Sequence, residues 1–444
     1  MAIIAGLSKA FSYGTVVSEG STMIVVGLLI FSGALYVTAF VLITGLRQSK
    51  ATLLVCLALG FIARLSLFGS TPVHEDDWYR YLWDGAVLNE GISPYTFPPA
   101  DAFLNNAFGD PITASDNAET NKLRALGAKT EHWPDRINYP YLATIYPPLA
   151  QIAFALANHI APFNLDAWRF VLLLHDAAGL AIMVFFLRIV NYNPFWVLAY
   201  WWNPLAIFTS YNTAHMDALL VPYICGAICL AAMKRPRFSA LAIAGAAAIK
   251  LWPIILAPIL LRSSMRDWLA IGTILCVATV LFLSPMFLQI NAENSGLIAF
   301  ASDWQKNAFL FPRISSALDL VTDNSDQIAR FVSAAIPLGF IAWATFNENL
   351  ITVPRALLIA VTLFFLTSPT GYPWYAIWFF TMLPFAPSVW VASFAVTLPL
   401  YYLRFSLEAI DQGDYFNTVL VPIEFLFPAV FGLSLAAIRR IKLQ

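Results

Sequence analysis

Three acidic side chains stand in a row at Glu75, Asp76 and Asp77, and an aromatic segment running from Trp78 to Trp83, with Arg80 inside it, follows at once. Crowded carboxylates raise one another's pKa, which would help one of them act as a proton acceptor near neutral pH. The stretch comes directly after an apolar run at 53–68, so the acids are expected where a membrane helix meets water. A carboxylate costs little there, because one side of the site is solvated while the other can hold a lipid-bound reactant. Acid–base chemistry on a lipid-linked substrate fits that position. A solvated start to an acidic loop, or a helix N-cap, would use the same residues without any chemistry.

Transfer of a sugar from an activated phosphate donor needs a base for the acceptor hydroxyl and cations or dipoles for the departing phosphate. Arg404 stands alone at the expected outer end of a helix; it is read as a phosphate ligand, with a pair to Glu408 as the alternative. Lys306 and Arg313 are further phosphate candidates. His215 and Asp217, two apart at a helix start, could touch sugar or phosphate, or could cap the helix and bond at the interface. Trp374, Tyr375 and Trp378 could stack on a sugar or prenyl chain, although an interfacial aromatic belt would use them as well. His175-Asp176 falls inside an apolar run, where ionisable groups mark either function or a buried structural pair.

The elements that must position these residues are membrane helices. Of 444 residues 59% are hydrophobic and 11% charged, too apolar for a soluble globule, and a net charge of −1 argues against nucleic acid as a partner. The four cysteines, Cys56, Cys225, Cys229 and Cys276, all lie in apolar runs and read as packing residues. No cleavable signal is expected, since the first ~20 residues lack a basic start, an apolar core and a small-residue cleavage site. Spans are expected at 23–43, 53–68, 168–190, 196–210, 216–233, 268–287, 328–346, 357–366, 375–386, 389–403 and 419–438, with 146–157 along the interface. The run 238–261 has basic residues at both ends (Arg237; Arg262 and Arg266), so it should be two short helices broken near Lys250-Leu251-Trp252-Pro253. Arg47, Lys50, Arg188, Lys234 to Arg237, and Arg439, Arg440 and Lys442 mark the cytoplasmic side. That leaves the 70–145 loop, the 290–315 and 406–417 loops, the turn 368–373, and Asn203, His215 and Asp217 outside. Pro94, Pro98, Pro99, Pro111, Pro134 and Pro140 should make the first loop irregular, with short interfacial helices.

Asp76-Asp77-Trp78-Tyr79-Arg80-Tyr81-Leu82-Trp83-Asp84-Gly85, followed by Gly91-Ile92-Ser93-Pro94-Tyr95, resembles the first outer-loop motif of GT-C fold glycosyltransferases, in particular the bacterial polyprenyl-phosphate-mannose-dependent mannosyltransferases and their relatives. Similar segments follow in order: Tyr146-Pro147-Pro148-Leu149; Asn203-Pro204-Leu205 with His215-Met216-Asp217-Ala218; Lys250 with Pro253; Trp304 with Asn307; Ser368-Pro369 with Pro373-Trp374-Tyr375. The resemblance implies one all-α polytopic membrane domain, 1–444, of GT-C type, with about 11 to 13 transmembrane helices. It also implies a general base at the start of the first outer loop, placed on Asp77 with Asp76 a close second when the Arg80-Tyr81 pair is aligned. Three successive acids depart from the usual pattern, which keeps Glu75 in the set. Arg80, His215, Asp217, Lys306, Arg313, Tyr375 and Arg404 become the substrate-binding candidates.

The implied function is transfer of a sugar, mannose by resemblance, from a polyprenyl-phosphate-linked donor to a glycolipid or glycan hydroxyl, with inversion. The implied place is the extracytoplasmic face of a bacterial inner (plasma) membrane. No cofactor is implied, although paired carboxylates with water would suit magnesium or manganese. A polytopic lipid or sugar transporter is the other class, and internal repeats with mid-membrane polar residues would mark it.

Overall fold

The computed structural model describes residues 1–12, 19–43, 49–103, 118–130, 133, 136–262, 267–289 and 294–441. Arg47, Pro111, Pro134, Arg266 and Lys442, and parts of the expected 70–145 and 290–315 loops, lie outside them. Among the described residues the chain is helical without a strand. Five helices are long and apolar enough to cross a membrane: Glu19–Leu42, Leu165–Ile189, Trp268–Phe287, Ser325–Phe346 and Gly413–Gly432. A sixth span arises if Pro204–Tyr211 and Met216–Ala232, bent by 109° against each other, count as one.

The remaining expected spans, out of about 11 to 13 apolar runs, are shorter helices or strings of turns. Lys50–Leu65 and Val353–Thr367 fall in the first group. The runs expected at 196–210, 375–386 and 389–403 are not continuous helices. Pro204 and Pro399 each sit in the first turn of a new short helix, where a missing N–H is tolerated but the preceding helix cannot continue, and the run at 375–386 is α-helical only over Ile377–Phe380. The break expected at Lys250 to Pro253 is present, between Pro236–Ala247 and the tight turn Trp252–Leu256.

The first loop is more ordered than its prolines suggested. Asp77–Asn89 forms a helix whose residues from Tyr79 to Val87 are buried, so it lies within the protein rather than along an interface. Gly91, at a φ of +74°, lets the chain leave that helix: its N–H bonds to Leu88 O and the Ile92 N–H to Val87 O, while Ile92 and Val87 share one apolar cluster. The segment expected along the interface is the helix Pro148–Ile160, which packs directly on this acid-bearing helix. The 290–315 segment also carries helices, Gly296–Asp303 and Leu310–Leu318.

Asp176 does not pair with His175. It accepts from Arg64 Nε at 2.7 Å and from the hydroxyls of Tyr200 and Tyr211, whereas His175 Nδ1 lies 2.9 Å from Val171 O. Arg64 and Asp176 are each 1% exposed, so removing one partner would strand a buried charge at a cost of about 3–5 kcal/mol.

Candidate active site

Glu75, Asp76 and Asp77 all open onto one cavity of about 520 Å³, together with Arg80, Asp217, Lys306, Tyr375 and Arg404. Eight of the ten residues expected at the site therefore line the same space. The exceptions are His215 and Arg313. His215 is completely buried behind the acids. Arg313 is exposed, 4.1 Å over the Phe309 ring, and it does not line the cavity; the helix Leu310–Leu318 carries it away, which a reading of 290–315 as open loop could not foresee.

Local structure separates the three acids. Asp76 sits at the N-cap position of Asp77–Asn89 but makes no capping hydrogen bond; its carboxylate accepts from Asn138 Nδ2 instead. Asp77 occupies the first turn, where the helix dipole favours a negative charge. Its Oδ2 lies 3.5 Å from His215 Nδ1 and 3.5 Å from the Tyr81 hydroxyl. Glu75 faces the other ring nitrogen, with Oε2 3.7 Å from His215 Nε2.

These surroundings push the three carboxyls apart in acidity. Burial raises Glu75 well above the ordinary carboxylate range, the charges of Asp77 and Asp76 raise it further, and Arg404 and Tyr401 only partly offset them. Burial and the neighbouring Asp77 charge bring Asp76 up to about 7, against the hydrogen bond from Asn138. Burial also acts to raise Asp77, but His215, Asn138 and the Lys250 charge outweigh it and hold Asp77 below its ordinary value. The stretch is thus graded, with Glu75 and Asp76 raised and Asp77 lowered.

The opposite wall is built by the bend between Pro204–Tyr211 and the turn Met216–Leu220. Asn203 Oδ1 accepts from the N–H groups of Leu205 and Ala206 and starts the first helix. Ala214, at a φ of +58°, reverses the chain, and Trp168 Nε1 holds its carbonyl at 2.8 Å. Asn203, His215 and Asp217, expected near the outer face, are all fully buried. Asp217 Oδ1 accepts from Lys250 Nζ at 2.7 Å and from Trp378 Nε1 at 2.6 Å. Lys250 then lies over the rings of Tyr375, at 4.0 Å, and Trp378, at 4.9 Å. Trp374, Tyr375 and Trp378 are buried in this wall and are not an interfacial belt.

Lys250 belongs to the site; the resemblance matched it together with Pro253, but no role was expected of it there. Its signal was a lysine alone in an apolar run; its partner Asp217 lies 33 residues earlier and across the fold. Arg80 borders the cavity, but its guanidinium is engaged by Asp84 at 2.8 Å and by Leu142 O at 2.9 Å. Arg404 pairs with Glu408 at 2.9 Å, the alternative reading, and also lines the cavity. Lys306 reaches the rim exposed, on a segment tied to Pro369 O and Gly371 N through its own backbone.

The arrangement joins carboxylates of graded basicity, four basic side chains of Lys and Arg, and an aromatic wall around one space. Among the described residues no group of three or more His, Cys, Asp or Glu side chains is placed to hold a metal ion. No protein-family model, curated protein or solved structure matches the chain.

Proposed function

We propose that the chain is an integral membrane glycosyltransferase of GT-C type. It transfers a sugar, mannose by the resemblance of its first-loop motif, from a polyprenyl-phosphate donor to an acceptor hydroxyl on a glycolipid or glycan. The observation that carries the reading is the convergence of Glu75, Asp76 and Asp77 with Lys250, Lys306 and Arg404 on one partly apolar cavity. In the reaction Asp77 takes the hydroxyl proton while the oxygen bonds to the anomeric carbon and the bond from that carbon to the lipid phosphate breaks, inverting the centre. Lys250, Lys306 and Arg404 stabilise the departing phosphate, and the aromatic wall of Tyr375 and Trp378 packs against sugar or prenyl chain. The basic residues at the expected inner turns support an active site on the extracytoplasmic face of a bacterial inner membrane.

The test is transfer of labelled sugar from synthetic polyprenyl-phosphate-mannose by purified protein, with an envelope lipid extract as acceptor and an EDTA lane beside it. Transfer by the wild type and a loss of about 100-fold or more in Asp77→Asn are expected. Full activity in Asp77→Asn with loss in Asp76→Asn would move the base by one residue. No transfer from mannose or any other polyprenyl-phosphate sugar would count against the class.

A further inference from the structure

Two polar residues that the proposed reaction does not use meet deep in the protein. Glu424 lies in the helix Val421–Ile441, inside the span Gly413–Gly432, and none of its surface is exposed. A carboxyl group in such a place is costly and is kept for function or for a structural tie. Its partner is Asn307, 117 residues earlier, whose Nδ2 donates to Glu424 Oε2 at 2.9 Å and to Gly371 O at 2.8 Å. An amide N–H bonds a carboxyl oxygen in this way whether or not the other oxygen carries a proton. The helix is held in turn, since the Thr397 hydroxyl donates to Glu424 O at 2.7 Å.

Asn307 directly follows Lys306, which lines the cavity. The Lys306 N–H donates to Pro369 O and the Gly371 N–H to Lys306 O, each at 3.0 Å, so a parallel bridge joins Lys306 to Thr370. Asn307 has a φ of +51°, a left-handed turn that Asn adopts more readily than most residues. A Cβ on Gly371 would lie 2.4 Å from Asn307 O. The two segments therefore touch main chain to main chain, with the Asn307 amide as the pin between them and Glu424 behind it. Ser368, Thr370 and Tyr372 of the same turn line the cavity beside Lys306. Lys250 and Arg404 are held by acids, Asp217 and Glu408, whereas Lys306 is held through its backbone.

We propose that Glu424 and Asn307 are positioning residues: the buried carboxyl anchors the Asn307 amide, which locks the Lys306 segment to the turn 368–373 and sets the Lys306 ammonium where the phosphate departs. The latch deepens the function proposed above and, for its effect on rate, rests on it.

Amide hydrogen exchange on the purified protein tests the latch without any sugar donor. In wild type the N–H groups of Lys306 and Gly371 should be protected. Glu424→Leu should speed their exchange about 10-fold, the effect of losing one hydrogen bond, and Glu424→Gln, which keeps an acceptor oxygen, should restore it. Unprotected amides in wild type overturn the proposal, a result that needs no variant. Exchange in Glu424→Leu that coincides with wild type overturns it too, as does a Glu424→Gln that behaves like Glu424→Leu. In the transfer assay Glu424→Leu should cost about 10- to 100-fold in kcat, and less than about 2-fold where Lys306→Ala is already present, because the carboxyl acts through Lys306. Equal losses in both backgrounds would mark a general structural role and overturn the positioning. Asn307→Gly, which keeps the left-handed backbone, carries the same cycle should Glu424→Leu fail to fold. Absence of transfer altogether would count against the function alone, because the exchange does not depend on it.

Discussion

Adjacent carboxyls in one chain need not share one chemistry. Asp76 and Asp77 are neighbours in sequence, yet Asp76 faces Asn138 and the negative charge of Asp77, while Asp77 faces His215. Raising Asp76 from 3.8 to about 7 has a consequence for stability with a definite sign. The folded state prefers protonated Asp76, so its favourable contribution is complete below the unfolded value of 3.8 and is lost as pH rises through about 7. Three units correspond to at most about 4 kcal/mol, less after discounting for partial exposure. Asp76→Asn should therefore raise the apparent melting temperature in detergent by a few degrees at pH 8 and by nothing measurable at pH 4. An equal difference at both values would sink the assignment. This gradation was only half legible in the sequence: three acids in a row announce mutual repulsion, but His215 and Lys250, distant in the chain, lower Asp77 alone, while Asn138 acts on both aspartates.

At the scale of elements, the acid-bearing helix is held by one close approach. A Cβ on Gly85 would lie 2.3 Å from Phe154 O, in the backbone of Pro148–Ile160, so the two helices touch main chain to main chain. Gly85→Ala must push them apart, at a cost of about 1–3 kcal/mol. Because the same helix begins at Asp77, a shift near 1 Å at the acids would cost about 100-fold in transfer. Gly226 offers the control, with nothing within 4 Å of its Cβ position; Gly226→Ala should leave both melting temperature and transfer near wild type. Equal effects from the two substitutions would deny Gly85 its special place. The helix Trp268–Phe287 and the break near Lys250 to Pro253 were legible in the sequence, because long apolar runs and prolines act locally. It did not show that 77–89 is a buried helix. Its mixed Asp, Arg, Tyr and Trp composition conceals an apolar face that Pro148–Ile160 and side chains such as Leu123, Leu126, Trp133 and Ile137 complete.

In the molecule as a whole, one helical path joins an acid of the cavity to a basic turn. From Asp217 at the cavity the chain runs through Met216–Leu220 and Val221–Ala232 to the exposed Lys234 and Arg235. At about 2.0 Å per residue in the tight turn and 1.5 Å in the α-helix, that path is about 28 Å, close to the ~30 Å of a hydrocarbon layer. If the basic end is cytoplasmic, the cavity is outside, where the lipid-linked donor proposed above would present its sugar. The orientation can be measured without knowing the sugar. In a Cys276→Ser background, where Cys56, Cys225 and Cys229 are buried, Gln305→Cys beside the cavity rim should react with a membrane-impermeant maleimide on intact cells. Lys234→Cys should react only after the cells are opened. The reverse pattern would turn the molecule over: the cavity would then face the cytoplasm, and water-soluble sugar nucleotides rather than polyprenyl phosphates would become the donors within its reach.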